Sequence, residues 1–305
     1  MRLLFIFLDG VGLGENDPEK NPLARVRMPT LESLLGGNRL LLGVAPIESE
    51  HATLLALDAC LGVPGLPQSA TGQAVLLTGI NVPAEIGEHY GPKPNEAVAS
   101  VLARGSVFSR VVQNGKTAAL LNAYPPRYFE AVSSGRRLYS SIPLAATNAG
   151  IRLLDHEDLF AGRALSADFT AEAWASMLGF PDAPVLRPAE AGHRMGTLAA
   201  QFDFSFFEYW ATDYAGHKQD MPWALRQLQT FDLVLAGLIQ AANNDQLILI
   251  SSDHGNMEDL STRRHTQAPV PAVLIGERNA RRAFATGLKD LTGVAQAIER
   301  LIGIP

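Results

Sequence analysis

Short runs of consecutive apolar residues, each ended by glycine or a polar side chain, recur along the chain. Four of them predict buried strands: Leu3–Leu8, Ala118–Leu121, Leu247–Ile250 and Ala272–Ile275. The aromatic-rich segment Phe204–Trp210 predicts a fifth. Strands that are apolar throughout, rather than alternating with polar residues, are typical of a sheet whose two faces are both covered.

Segments with apolar residues at helical spacing lie between these runs. Pro29–Leu35 predicts a short helix that stops at Gly36, and Trp223–Ala242 and Leu288–Ile302 predict two longer helices. Because strands and amphipathic helices alternate, we expect an α/β fold in which helices cover both faces of a mostly parallel sheet.

The middle of the chain differs in composition from its two ends. Pro, Gly and Arg residues are frequent from Ile86 to about Glu190. This change predicts a smaller inserted cap or substrate region at 86–189, between the two parts of a catalytic core at 1–85 and 190–305. The length of 305 residues suits one large domain or two modest ones.

Composition and charge narrow the classes of function. The chain is 47% hydrophobic with a net charge of −6 and has no basic run, which disfavours nucleic-acid binding. Its single cysteine excludes an intramolecular disulfide and a thiolate metal cluster. No segment approaches the roughly 18 apolar residues of a membrane span, and Asp9 interrupts the N-terminal apolar run too early for a signal peptide. We expect a cytoplasmic protein, and the sequence does not determine its oligomeric state.

Side chains of the kinds that bind metals stand beside several apolar runs. Singly, each has an ordinary structural interpretation as a cap, a turn residue or a solvated pair. Together they are unusual, because ligands bind beyond the carboxyl ends of the strands in open α/β sheets. Six ligands are too many for one tetrahedral site and predict two neighbouring divalent ions, Mn or Zn. The six are Asp9, Asp213, His217, Asp253, His254 and His265.

This pattern resembles the alkaline phosphatase superfamily, and within it the cofactor-independent phosphoglycerate mutases and phosphopentomutases. The Asp253-His254-Gly255-Asn256 segment with the downstream His265-Thr266 is the most specific part of the resemblance. The Phe7–Gly12 segment, the Met28–Leu31 segment, Ser69 and the Asp213/His217 pair match further motifs. The resemblance covers roughly residues 1–85 and 195–278.

The resemblance implies a fold and a set of roles. The core would be alkaline phosphatase-like, and Ser69, placed before a possible helix at Ala74–Leu77, would be the catalytic nucleophile that becomes phosphorylated. One metal ion would be surrounded by Asp9, Ser69, Asp253 and His254. The other would be held by Asp213, His217 and His265.

Two features depart from the resembling mutases. Gln73 stands where their nucleophile motif ends in histidine, and the segment between Ser69 and Asp213 is far shorter than the insertion of the two-domain phosphoglycerate mutases. Neither departure affects the metal ligands, but both weaken the transfer of a particular substrate.

We therefore expect a two-metal phosphoryl-transfer enzyme with a phosphoserine intermediate. A phosphomutase that acts on a small phosphorylated metabolite is favoured, with phosphoglycerate as the first substrate to test. The alternatives are a metal-dependent phosphatase or phosphodiesterase on the same core and a non-catalytic metal-binding relative. Candidate substrate-binding residues are His89, Lys93, Arg127, Arg136 and Arg137.

Overall fold

The computed structural model describes residues 1–243 and 245–304; residues 244 and 305, which fall within the predicted core range 190–305, lie outside it. Seven strands in the described ranges form one sheet. They are β1 (Arg2–Leu8), β2 (Ile47–Glu48), β3 (Ala52–Leu57), β4 (Ala118–Leu120), β5 (Phe204–Tyr209), β6 (Gln246–Ser251) and β7 (Val270–Ile275).

The sheet is mostly parallel, as expected. Its strand order is β2-β3-β7-β6-β1-β5-β4, and the four strands from β6 to β4 are parallel neighbours. Strand β7 is antiparallel to both β6 and β3, so that β3 runs with the central four and only β7 and β2 run against them. All five predicted strands are confirmed. The apolar pattern does not predict β3, because Thr53 interrupts its apolar run.

Helices connect and cover the strands. The predicted helices are confirmed, although the last begins at Thr292 because the Asp290 side chain accepts a hydrogen bond from the Thr292 N–H at 2.8 Å. No helix in the described ranges is both long enough and apolar enough to cross a bilayer. The α-helices are α1 (Pro22–Arg25), α2 (Pro29–Leu34), α3 (Ser69–Thr78), α4 (Val82–Ile86), α5 (Glu96–Arg104), α6 (Val107–Gln113), α7 (Pro126–Ser133), α8 (Ser141–Asn148), α9 (His156–Phe160), α10 (Glu172–Ser176), α11 (Pro188–Ala199), α12 (Ala211–Lys218), α13 (Met221–Ala241), α14 (Arg278–Ala285) and α15 (Thr292–Ile302).

Both faces of the sheet are buried, which explains why its central strands are apolar throughout. Along β1, Phe5 and Phe7 pack into the core that contains α3 and α15, whereas Leu4 and Ile6 pack into the core that contains α11 and α13. Each fully buried side chain of this size contributes about 1.5–3 kcal/mol of transfer free energy. Helices on both faces therefore hold the central strands, and the loops at their carboxyl ends, in fixed positions.

The segment predicted as an insertion is partly built into the core. Strand β4 lies at the edge of the main sheet beside β5, and α5, α6 and α8 pack against α3 with Val98 and Phe108 fully buried. Later in the segment, Trp174 lies at the centre of a small hydrophobic cluster of its own. Residues 96–120 and α8 therefore belong to the sheet and its helix layer. The assignment of a cap to the remainder of 86–189 stays a prediction.

Candidate metal centre and nucleophile

Three aspartates converge at the carboxyl ends of three adjacent strands. Asp9 directly follows β1, Asp253 follows β6 after one residue, and Asp213 lies in the first turn of α12, the helix after β5. Because β1 lies between β5 and β6 and is parallel to both, these three chain ends meet at one edge of the sheet. Gly10, with φ of +66°, allows the approach, since a Cβ at that position would lie 2.5 Å from the Asp213 Oδ1.

Ser69 is the first residue of α3, as the sequence indicates. The helix is buried along its whole length and packs against the Asp253 loop so closely that a Cβ at Gly72 would lie 2.8 Å from the Asp253 carbonyl oxygen. This packing places the Ser69 Oγ 3.0 Å from the His254 Nε2. The N-terminus of a buried helix also favours a negative charge on the side chain that begins it.

The first group of metal-type ligands surrounds His254. Its Nε2 lies 3.4 Å from the Asp9 Oδ1 and 3.6 Å from the Asp253 Oδ2. The Gln73 amide donates a hydrogen bond of 3.3 Å to the same Asp253 oxygen. Gln73 therefore helps to hold a carboxylate of this group in the position where the resembling mutases carry histidine.

The second group consists of Asp213, His217 and His265. Asp213 and His217 occupy successive turns of α12, with the Asp213 Oδ2 3.2 Å from the His217 Nε2. The His265 Nε2 lies 3.3 Å from the His217 Nε2 and 3.7 Å from the Asp213 Oδ1. The rings of His265 and His254 stack with their centroids 3.7 Å apart, so the two groups adjoin.

Backbone carbonyl groups orient all three imidazoles. The Nδ1 atoms of His217 and His265 lie 2.8 Å and 2.7 Å from the carbonyl oxygens of Arg263 and Pro67. The Nδ1 of His254 lies 3.3 Å from the Gly255 carbonyl oxygen. A carbonyl can only accept, so each Nδ1 donates, and whenever a ring is neutral its Nε2 lone pair faces the site. Histidine ligands in metal sites are commonly held in this way.

The site concentrates negative charge. Burial, together with the charges of Asp253 and Asp213, raises the pKa of Asp9 well above its ordinary value. Burial and the charge of Asp213 raise the pKa of Asp253 to about 7. Burial is the largest single influence on Asp213 and opposes its ionisation, but the hydrogen bonds with His217 and Asn256 and the charges of the nearby histidines together outweigh it and lower the pKa of Asp213 to about 2. A cation among these carboxylates would relieve their mutual repulsion.

The buried imidazoles are in the form that binds metals. Burial lowers the pKa of His254 to about 4, and burial with the neighbouring His254 lowers the pKa of His265 to about 4. Both rings are therefore neutral at pH 7, and a neutral ring has a lone pair to donate.

The residues fit divalent cations. Ligand atoms of Asp213, His217 and His265 lie within 4.8 Å of one another, and so do those of Asp9, Asp213 and His254. The Asp9 Oδ1 is buried and has no hydrogen-bond partner in the described part of the chain. Carboxylate oxygens and imidazole nitrogens together suit zinc, manganese and similar ions.

Glu258 supports the metal-binding loops and was not singled out from the sequence. Its buried carboxylate accepts hydrogen bonds from the Gly12 N–H at 2.9 Å, the Asn256 N–H at 2.8 Å and the Thr266 hydroxyl. It thereby joins the loops that carry Asp9, Asp253 and His265. Asn256 acts similarly, since its amide donates to the Asp213 Oδ1 at 2.6 Å.

We expect Glu258→Gln to destabilise the protein by about 2 kcal/mol, because a buried charged acceptor of several hydrogen bonds is replaced by a neutral amide that also brings unwanted donors. Urea unfolding of the metal-free protein measures this free energy directly. Glu130→Gln on the exposed surface of α7 is the matched control. Equal stability of the two variants would contradict a structural role for Glu258.

The five predicted substrate residues lie in different places. His89 lines a cavity of about 660 Å³ beside His217 and His265, together with Arg263 and Arg264. Lys93 is half-buried, and the Arg137 guanidinium lies 4.8 Å from the centre of the Tyr128 ring.

Arg127 and Arg136 are exposed. In the described ranges, neither forms a hydrogen bond or ion pair with the metal-type ligands. Their role in substrate binding stays a prediction. Two further arginines of this segment, Arg152 and Arg163, both pair with the buried Asp158 and are structural.

Comparison with known proteins finds similarity to the same group of enzymes over part of the chain. Residues 193–305 match the sequence model of the metalloenzyme superfamily. The chain is 32% identical over 112 residues to a 2,3-bisphosphoglycerate-independent phosphoglycerate mutase of Desulforudis audaxviator, covering 34% of this chain and 22% of the relative. It is 25% identical over 145 residues to a phosphopentomutase of Hahella chejuensis, covering 46% of this chain and 33% of the relative. The aligned parts thus span at most about a third of these relatives' own length.

The whole chain has an alkaline phosphatase-like fold. Thermus thermophilus alkaline phosphatase superposes with a TM-score of 0.59 at 12% identity, covering 100% of this chain and 92% of the phosphatase. At this identity the likeness establishes the fold alone.

Proposed function

We propose that this chain, whose residues 193–305 match the metalloenzyme superfamily and whose fold is alkaline phosphatase-like, is a two-metal phosphoryl-transfer enzyme with a phosphoserine intermediate at Ser69. The observation that carries the proposal is the position of the Ser69 Oγ, 3.0 Å from the His254 Nε2 among three aspartates and three histidines. A helix-capping serine has no need of such neighbours.

The metal ions would be held in two groups and would supply one kind of chemistry. Asp9, Asp253 and His254, with Ser69, would hold one ion, and Asp213, His217 and His265 the other. When bound, divalent cations lower the pKa of a coordinated hydroxyl and neutralise charge on a phosphoryl group. Manganese and zinc both suit this donor set.

The chain's own residues account for the transfer. The Ser69 Oγ attacks phosphorus, an Oγ–P bond forms, and the P–O bond to the leaving alcohol breaks. The alcohol oxygen gains one proton as the Ser69 hydroxyl loses one. The N-terminus of α3 stabilises the negative charge of the resulting phosphoserine. Gln73 and the backbone around Gly72 fix the position of Asp253 next to the reacting serine.

The fate of the phosphoserine distinguishes a mutase from a phosphatase. If the dephosphorylated intermediate is retained and another of its hydroxyls takes the phosphoryl group, the enzyme is a phosphomutase. If water attacks first, it is a phosphatase. We favour a mutase that acts on a small phosphorylated metabolite, because the curated relatives named above are a phosphoglycerate mutase and a phosphopentomutase. Part of the segment 121–187 would then act as the cap that excludes water.

Phosphorus NMR of metal-loaded protein tests the proposal. The protein is incubated with 3-phosphoglycerate and, separately, ribose 1-phosphate, and Mn²⁺ is removed with a chelator before the spectrum is recorded. We expect an isomerised phosphate ester that is absent with Ser69→Ala. Inorganic phosphate alone would reclassify the protein as a phosphatase. If neither ester is converted and p-nitrophenyl phosphate is not hydrolysed, the result contradicts phosphoryl transfer by this protein.

A further inference from the structure

A partly buried carboxylate that belongs to neither metal group lies one residue before the end of β5. Asn122 fixes the backbone of this residue, Glu208: its amide donates to the Glu208 carbonyl oxygen at 2.9 Å, and its Oδ1 accepts from the Glu208 N–H at 2.8 Å. Glu208 is a lone charged side chain in an otherwise apolar and aromatic strand. A charge in such a place is costly, so its retention calls for a partner.

A tyrosine satisfies only one of the two oxygens of the Glu208 carboxylate. The Tyr124 hydroxyl donates to the Glu208 Oε1 at 2.9 Å, whereas the Oε2 has no hydrogen bond in the described ranges. The Tyr124 and Tyr128 rings pack with their centroids 4.5 Å apart. The Tyr128 side chain is buried, and its hydroxyl has no hydrogen-bond partner in the same part of the chain. The buried Tyr128 hydroxyl is therefore left for a ligand to satisfy, and the accessible Oε2 of Glu208 is open to the same ligand.

This cluster of Glu208, Tyr124 and Tyr128 lies near Asp9, on the side of the sheet that α3 covers. Glu208 is paired with Phe7 in the sheet, two residues before Asp9, and its charge contributes to the raised pKa of Asp9. Ser141, which begins α8, donates to the carbonyl oxygen of Ala70 next to the nucleophile at 2.9 Å. The cluster thus lies on the α3 side of the sheet, as Ser69 does.

The chemistry of the cluster selects its ligand. A carboxylate accepts hydrogen bonds only, and a phenol both donates and accepts. Hydroxyl groups of a sugar or polyol satisfy both, whereas the carboxylate of a phosphoglycerate would meet the negative charge of Glu208. Burial raises the pKa of Glu208 to about 6, so the side chain is largely ionised at neutral pH.

Two cations stand near the cluster but are already engaged. The Lys93 ammonium donates to the Leu138 carbonyl oxygen at 2.7 Å, and the Arg137 guanidinium stacks on the Tyr128 ring. Arg137 is exposed, and in the described part of the chain neither cation forms an ion pair with Glu208, although the charges of both act to lower its pKa. They moderate the charge of Glu208 without cancelling its preference for hydrogen-bond donors.

We propose that the cluster of Glu208, Tyr124 and Tyr128 binds the hydroxyl-bearing part of the phosphate ester, and that it selects sugar or polyol phosphates over phosphorylated carboxylates. The inference rests on the proposed function, since it assumes that the phosphoryl group lies at Ser69. It makes Glu208 a specificity-determining residue.

Binding measurements test the cluster without turnover. Full-length Ser69→Ala protein, loaded with Mn²⁺, is titrated calorimetrically with ribose 5-phosphate, 3-phosphoglycerate and inorganic phosphate. We expect ribose 5-phosphate to bind at least tenfold more tightly than 3-phosphoglycerate. Adding Glu208→Gln is expected to weaken the binding of ribose 5-phosphate about tenfold, because a hydrogen bond to a charged group is lost. It is expected to tighten the binding of 3-phosphoglycerate.

Tyr128→Phe provides a variant that keeps its fold, because the hydroxyl it removes has no hydrogen-bond partner among the described residues. It is expected to weaken the binding of ribose 5-phosphate about threefold. Glu130→Gln, an exposed carboxylate on α7, is the matched control and should leave the ratio of the two affinities unchanged.

Three outcomes would overturn the inference, and they are distinguishable. If 3-phosphoglycerate binds as tightly as ribose 5-phosphate, Lys93 and Arg137 take its carboxylate and the selection is wrong. If inorganic phosphate binds but Glu208→Gln leaves the affinity ratio unchanged, only the cluster is wrong. If inorganic phosphate does not bind the metal-loaded protein, the proposed function fails as well.

Discussion

Ser69→Ala is expected to lower turnover of a phosphate ester by at least about 10³-fold, while the fold and the melting temperature stay close to those of the parent. The side chain supplies the only nucleophile of the proposed reaction. The nearby Thr71 hydroxyl cannot replace it, because it is engaged with the carbonyl oxygens of Gln68 and Tyr90 at 3.1 Å and 3.3 Å. Initial rates with p-nitrophenyl phosphate and with ribose 1-phosphate measure the loss.

Covalent labelling tests directly whether the intermediate is phosphoserine at Ser69. Acid quenching of the parent during turnover should yield a phosphorylated peptide that contains Ser69, and Ser69→Ala should yield none. Ser133→Ala, an exposed serine on α7, is the matched control and should keep both turnover and labelling. Undiminished turnover in Ser69→Ala, or phosphate on another residue, would show that the serine is only a helix cap.

The second large effect concerns the metal content. Replacing His254 or His265 by Ala is expected to reduce the bound ions from about two per chain to about one, because the two histidines belong to different ligand groups. Turnover should fall by about 10²-fold or more in each case. Elemental analysis of protein dialysed after incubation with Mn²⁺ or Zn²⁺ measures the stoichiometry.

The two groups allow a sharper test than either variant alone. The double variant should retain almost no metal, whereas His193→Ala, an exposed histidine on α11, should bind as much as the parent. Asp253→Ala should resemble His254→Ala, because the two residues lie in the same group. Metal content that stays at the parent level in all these variants would refute the assignment of ligands.

Several parts of the candidate site follow from local sequence. The apolar strands predict where the chain enters and leaves the sheet, so Asp9 and Asp253 fall at strand ends whatever the detailed packing. The i, i+4 spacing of Asp213 and His217 puts them on one face of α12. Gln73 illustrates the limit: the sequence shows only that histidine is missing, and the structure shows an amide that donates to Asp253.

Other residues owe their importance to contacts between distant segments. Glu258 joins loops that are separated by about 250 residues along the chain, and nothing near it in sequence indicates which N–H groups it accepts from. Glu208 stands out in the sequence only weakly, as a single charge within an aromatic strand. Its hydrogen bond with Tyr124 depends on the edge strand β4 and the loop after it. The position of β4 likewise shows that residues 96–120 belong to the core.

The sequence by itself determined the α/β class, the five apolar strands and the set of metal-type side chains, because strand burial and ligand chemistry depend on residue type and local spacing. Only the tertiary structure decided which ligands adjoin, which way the imidazoles face, and which carboxylate near the site lies outside both metal groups. Those properties depend on distances between segments far apart in the chain, and distances of 3–4 Å are set by how helices such as α3 pack on the sheet.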